Sequence, residues 1–451
     1  MARVIADPVQ IAIILDCLNS LRIQSMLSFF VRVGMNLALC LHFAILVPHI
    51  RRPKRTKESG LYPYRHPMAL LFVLLPVAIA VYVFQSVRAS EAACLPHPEC
   101  AVHAFRWISL RDGDKSQCPC LTLIDADVAP KTYAEWLLPK NVTEKVAQLA
   151  ASGDLQTIQL TNRYLPAFPE ELKRCTNMKH IALVYTHTKA LPPLLKELTK
   201  LEYLHIEGIL GISSLESLPD DMFADMDSLT FLHLAVHPNL RRLPSLDGLV
   251  NLRSLTLAIL LQLEELPNFR SLANLERLLL VIVPKLDAFP DMAHMKSLSE
   301  FVLSYRSGVC CNGFLDNKCD LNKPICSIPY WWGEAPVTCL PTNRTDKIAT
   351  DATRNTFARF PYSACSNVTE DPTTQDDIPT EEDMLKCNGT MYRRCEKQPG
   401  NRTGICYNPR MMPISCDGSS LPIAMRKRQI AKKVGDPCDP EHEAWLGCVR
   451  S

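Results

Sequence analysis

The pattern L-x-x-L-x-L occurs seven times between residues 155 and 303. It reads LQTIQL from Leu155, MKHIAL from Met178, LEYLHI from Leu201 and LTFLHL from Leu229. It continues as LRSLTL from Leu252, LERLLL from Leu275 and LSEFVL from Leu298. The steps between these starts are 23, 23, 28, 23, 23 and 23 residues. Alternating apolar positions make a short strand with one face buried. A unit of this length cannot bury that face alone, so successive units must stack and share one continuous core. Each return segment pairs an aliphatic or aromatic residue with proline: Phe168-Pro169, Leu191-Pro192, Leu218-Pro219, Leu243-Pro244, Leu266-Pro267 and Phe289-Pro290. Proline suits a stretch that supplies no ladder donor. The longer third unit carries its insertion in GILGISSLES, after the strand, so the strand register is expected to survive.

These leucines and prolines resemble the leucine-rich-repeat family. The resemblance implies an α/β, right-handed leucine-rich-repeat solenoid with parallel strands on its concave face. The chain departs from the common pattern at the ninth position, where many members carry Asn or Cys. Here that position holds Arg163, Thr186, Ile209, His237, Leu260 and Val283, so the asparagine ladder is absent. The extra residue before Leu240, Leu263 and Leu286 resembles the L-x-x-L-x-L-x-x-C-x-x-L-x-x-L-P variant.

Positions three and five of the template point away from the core. Position three reads Thr157, His180, Tyr203, Phe231, Ser254, Arg277 and Glu300; position five reads Gln159, Ala182, His205, His233, Thr256, Leu279 and Val302. Adjacent rungs lie about 4.8 Å apart, so His180, Tyr203, His205, Phe231 and His233 should form one patch. Outward-facing aromatic residues are the usual anchors of a binding surface. With Thr256 and Arg277 added, these residues are the expected contacts for a protein or peptide ligand. Only two or three imidazoles are available and no carboxylate pairs with His205 and His233, so neither a metal nor a cofactor is expected. A greasier half follows at Ile259, Leu279, Val281, Ile282 and Val302, which the C-terminal module or another subunit could cover.

Of 19 cysteines, 12 lie between Cys310 and Cys448 in loop-rich sequence without paired CxxC zinc spacing. A disulfide framework is expected. Its candidates are Cys94, Cys100, Cys118 and Cys120 in one flank. In the other they are Cys310, Cys311, Cys319, Cys326, Cys339, Cys365, Cys387, Cys395, Cys406, Cys416, Cys438 and Cys448. Connectivity stays open at this level, and Cys175, inside a repeat, is expected to be a free buried thiol. Asn141, Asn343, Asn367, Asn388 and Asn401 each open an N-x-T glycosylation sequon. All point to an oxidising, glycosylating compartment.

The start of the chain is far more apolar. Residues 27–50 and 67–88 are expected to be two transmembrane helices, since about 20 apolar residues span the hydrocarbon. The loop 51–66 between them carries Arg51, Arg52, Lys54, Arg55, Lys57 and Arg65, which makes it cytoplasmic by the positive-inside rule. Residues 89–451 would then be extracellular or lumenal, with the plasma membrane the expected site. The full layout is an N-terminal segment 1–26 able to form an interfacial helix, the two spans and their loop, and a cysteine-containing flank 89–154. Seven repeats follow at 155–303, then a cysteine-rich module at 304–451.

The flanks carry a second resemblance. CPCLTLID, CCNGFLDNKC and above all AWLGC, from Ala444 to Cys448, are similar to leucine-rich-repeat membrane proteins that end in a WLGC module. Trp445 and Cys448 match its naming motif, and their own chemistry reads as structural. The resemblance implies a membrane-tethered recognition protein and no established chemistry. G-x-S-x-G, H-E-x-x-H, P-loop and kinase motifs are absent from the sequence. The net charge of +2 offers no field for nucleic acid. The expected function is receptor-like binding without enzymatic activity, its partners being a ligand, the lipid membrane and a signalling co-receptor. A wall-associated adhesin is the alternative, and an enzyme seated in the C-terminal module is a weaker one.

Overall fold

The computed structural model describes residues 67–105, 117–209, 214–304, 307–326, 336–341, 348–365, 378–398 and 402–449. Contacts divide the chain into two units, Met1–Cys120 and Leu121–Ser451.

In the first unit a helix, α1, runs from Pro67 to Cys94, and a short strand, β1, from Cys100 to His103. Disulfides Cys94–Cys118 and Cys100–Cys120 tie this unit together. The helix contains the segment expected as the second membrane span and continues through Arg88 and Glu91 to the Cys94 disulfide. Among the described residues, no helix is long and apolar enough to cross a membrane. That finding overturns the expected second span and the plasma-membrane assignment, and leaves the lipid partner without support. The helix's later turns, with Gln85, Ser86, Arg88, Ser90 and Glu91, are polar and lead into that disulfide. The expected first span, the basic loop and residues 1–26 lie outside the described residues.

The second unit is built on parallel strands, each joined to the next by one return segment. They are β2 (Cys120–Ala126), β3 (Thr157–Thr161), β4 (His180–Val184), β5 (Tyr203–Glu207), β6 (Phe231–Ala235), β7 (Ser254–Ala258), β8 (Arg277–Val281) and β9 (Glu300–Ser304). Pairing follows chain order, with Thr157 opposite His180, Tyr203, Phe231, Ser254, Arg277 and Glu300 in turn. The insertion in the third unit leaves this register intact, because it follows β5. Template positions one, four and six form the core, and every one of them is at most 1% exposed. Between β3 and β9 the described return residues form no α-helix; two segments carry 3-10 turns, Glu170–Arg174 and Pro193–Glu197, each capped by a proline. The expected α/β class is therefore corrected to a β-solenoid, since the prolines deny the return stretch the donors an α-helix needs.

The missing asparagine ladder has a substitute in the backbone. Asn162, Tyr185, Val236, Ile259 and Ile282 each follow a strand and adopt φ between 51° and 58°. The left-handed turn aims their N–H groups at the next rung: Tyr185 bonds the Glu207 carbonyl at 2.8 Å, and Val236 bonds that of Ala258 at 2.8 Å. At the equivalent Gly208 the rungs come so close that a Cβ would lie 2.3 Å from the Val236 carbonyl oxygen. His237 plays the ladder's part with its side chain, since Nε2–H donates to the Ile206 carbonyl at 3.2 Å.

Burial pushes the His237 imidazole down to about 4, against smaller upward pulls from the Ile206 carbonyl and the Glu207 charge. The unfolded chain takes up this proton as pH falls below about 6.5; the folded chain does so only near pH 4. Stability is therefore full above the unfolded value, falls across that window and levels off below it. Between pH 7 and pH 5 His237 should cost the fold about 2 kcal/mol. His180 and His187 are shifted the same way by burial, so the comparison must be internal. Urea midpoints of wild type and His237→Asn, measured at both pH values, should show a shallower loss in the variant. Equal losses would remove His237 as the cause.

Candidate functional site: the strand face of rungs two to five

Period-two alternation turns positions three and five of each strand to one face, and parallel register lines them up. Tyr203 stacks on Phe231 with ring centroids 4.3 Å apart and planes 6° from parallel. His180 meets Tyr203 edge to face at 5.7 Å, and Phe231 lies 6.3 Å from His233. His205 and His233 face each other across rungs at 4.1 Å. Burial holds His180 below the ordinary histidine range and raises the Tyr203 phenol. All five side chains are half-buried. Thr256 is the register partner of His233 and continues the row. Arg277 does not join the rings. It pairs with Glu300 on the last rung, at 2.7 Å, with both side chains exposed.

Template positions three and five leave out two residues that belong here. Glu207 Oε2 lies 3.3 Å from His205 Nε2, so the imidazole pair does have a carboxylate beside it. The signal was available at position seven, which reads Thr161, Val184, Glu207, Ala235, Ala258, Val281 and Ser304. Glu207 is the only ionisable residue in that row. Tyr185 donates its hydroxyl hydrogen to Glu207 Oε1 at 3.2 Å. One ligand atom each from His205, Glu207 and His233 lies within 4.8 Å of the other two.

Two parts of the C-terminal module meet the solenoid: residues 408–414 border this face at the early rungs, and residues 351–365 pack on the last rung. Met412 packs against a cluster of Trp136, Val184, Tyr185 and Ile209. Asn162 donates from Nδ2 to the carbonyls of Asp127 at 2.5 Å and Met411 at 2.7 Å. Asn408 reaches the Val128 carbonyl, and the Ile414 N–H that of Pro130. Inside the module, α5 (Glu381–Cys387) packs on a small sheet of β10 (Arg394–Lys397), β11 (Arg402–Tyr407) and β12 (Ser415–Asp417), with α6 (Ser420–Lys432) beyond. Here α2 (Tyr133–Leu137), α3 (Thr143–Ala150) and α4 (Asp351–Arg359) precede α5 in the chain.

All sixteen candidate cysteines are paired. Besides the two bridges of the first unit, these are Cys310–Cys365, Cys311–Cys326, Cys319–Cys339, Cys387–Cys406, Cys395–Cys416 and Cys438–Cys448. Cys175 is the free thiol among the described residues, buried and pushed up to about 11 by that burial. Asn141 and Asn388 are exposed; Asn343, Asn367 and Asn401 lie outside the described residues. Trp445 donates its indole N–H to the Tyr392 carbonyl at 3.1 Å, and Gly447 turns left-handed at φ 97° before Cys448.

Strands stacked at a 23-residue step on one leucine core define a leucine-rich-repeat solenoid. Its terminal module, residues 382–449, matches the WLGC domain family. Similar solved structures include a leucine-rich-repeat protein of Leptospira interrogans, at 21% identity and a TM-score of 0.27, covering 36% of this chain and 45% of that one. The chain thus spans less than half the length of that protein. The leucine-rich-repeat domain of the type III effector XopL matches at 16% identity and a TM-score of 0.30, over 55% of this chain and 98% of its own. The functional domain of InlJ from Listeria monocytogenes, which includes a cysteine ladder, matches at 14% identity and a TM-score of 0.27, over 42% and 40%. No curated protein matches the sequence.

Proposed function

We propose that this chain is a recognition protein that binds a protein or peptide ligand on the concave face of its solenoid. The observation that carries this reading is the stacked Tyr203–Phe231 pair, held half-exposed on adjacent rungs and flanked by His180, His205 and His233. A repeat array makes a broad rigid surface whose rungs cannot move independently. Two aromatic rings presented there offer large contact area at little entropic cost on binding. The disulfides support an oxidising compartment for this activity. Thr256 extends the surface, and Arg277 with Glu300 forms a charged rim at its far edge.

A display library of folded domains and peptides, selected on the wild-type chain, supplies the ligand for the test. Each anchor of this kind contributes about 2 kcal/mol or more. Tyr203→Ala combined with Phe231→Ala should therefore weaken the selected ligand at least about 100-fold. Lys196→Ala, on the return side, should leave affinity unchanged. A ligand that binds the double variant as tightly as wild type would place recognition elsewhere.

A further inference from the structure

We propose that His205, Glu207 and His233 form a binding site for a divalent transition-metal ion, with zinc the best fit. Strand alternation sets residues 205 and 207 on one face, and His233 is the direct register partner of His205. His205 Nε2 and Glu207 Oε2 are 3.3 Å apart. Two ligand atoms on a zinc tetrahedron with bonds of about 2.0–2.1 Å are themselves about 3.3 Å apart. One edge of the coordination polyhedron is already set. The third ligand atom is within 4.8 Å of both, a gap that a small rotation of the His233 side chain closes.

The supporting shell is also in place. A metal-bound imidazole keeps its orientation through its other nitrogen, and a ligating carboxylate through its other oxygen. His205 Nδ1 faces the Tyr203 hydroxyl at 3.5 Å, and Glu207 Oε1 accepts from Tyr185 at 3.2 Å. Tyr185 is fixed in turn by its edge contact with Trp136, 5.4 Å between centroids, and by Met412. A hydrogen bond between His205 and Glu207 needs only one imidazole; the second lies 4.1 Å from the first, ring to ring, close enough for one cation to be shared. Two nitrogens and one carboxylate suit zinc better than magnesium or calcium, which prefer oxygen ligands throughout. Three protein ligands leave a fourth position for water or a ligand group. The site stands independently of any protein ligand.

The test uses the full chain with its disulfides intact, stripped with a chelator and titrated with zinc chloride alone. Elemental analysis after desalting should find one zinc per chain, and calorimetry a dissociation constant in the micromolar range or tighter. Glu207→Gln, and separately His205→Gln with His233→Gln, should weaken binding by about 100-fold or more. Tyr185→Phe, which keeps the packing and removes only the carboxylate's hydrogen bond, should weaken it about tenfold. Cobalt should give a tetrahedral absorption band that the ligand variants lose. Circular dichroism of the stripped variants separates loss of the site from loss of the fold. Saturable wild-type binding that these variants reduce supports the assignment. Zinc retained undiminished in the variants, or no saturable wild-type binding below millimolar zinc, overturns it.

Discussion

Glu443→Ala should destabilise the C-terminal module by about 3–5 kcal/mol, the cost of stranding one buried ionic partner. Arg426, on α6, meets Glu443 through Nε at 2.6 Å and Nη2 at 3.1 Å, and the two side chains are only 2% and 4% exposed. The guanidinium also lies over the Tyr392 ring at 4.1 Å, and Trp445 bonds the Tyr392 carbonyl. Glu443 Oε1 further accepts the Asp439 N–H at 3.0 Å. Removing the carboxylate therefore leaves a desolvated cation and an orphaned amide, beside the residues that give the motif its name. Amide exchange across residues 420–448 should rise steeply in the variant. The paired replacement Arg426→Met with Glu443→Leu should be far milder, since no charge is left behind. Exchange unchanged by Glu443→Ala would mean that the Cys438–Cys448 disulfide alone holds the region.

Phe301→Ala should cost about 3–5 kcal/mol as well, by a different mechanism. Phe301 stands where every other rung carries Leu or Ile, and it is fully buried. Its ring contacts Phe357 at 5.0 Å, Phe289 at 5.9 Å and Phe360 at 6.0 Å, all edge to face. These contacts seat α4 on the open end of the solenoid. The backbone follows: Leu303 donates to the Ser363 carbonyl at 2.8 Å, and the Ser363 hydroxyl to that of Phe301 at 2.6 Å. Alanine leaves a cavity that three phenylalanines cannot all move to fill. Guanidinium unfolding should show the full loss, and Phe301→Leu a smaller one. A loss under about 1 kcal/mol for alanine would show that the cap is held by its hydrogen bonds and the Cys310–Cys365 bridge instead.

Much of the solenoid was legible in the sequence because its period is imposed by the core. Leu204, Leu232 and Leu255 recur at the same template position, so their register, and hence the adjacency of Tyr203 and Phe231, could be written down in advance. Glu207 escaped because the template was read to position five while the strand runs to position seven. Tyr185 and Trp136 escaped for a deeper reason. Their roles depend on Met412, more than 200 residues away, and contacts at that separation leave no periodic trace. The helix Pro67–Cys94 departs from its expectation, since an apolar run announces a helix without fixing what surrounds it. Cysteine spacing likewise announced the bridges without ordering them, because many pairings satisfy the same count.

The module's return to Val128, Pro130 and Asn162 has a thermodynamic consequence. In a free stack each rung leans only on its neighbours, so melting starts at whichever end is loose and travels inward. Here Met411 and Met412 grip the first rungs and α4 seals the last, so neither terminus of the stack is a loose thread. Exchange rates of core amides should be nearly level from Ile158 to Leu303. The spacing of the rungs is then a clamped quantity, held against thermal flexing by the same polypeptide that forms it.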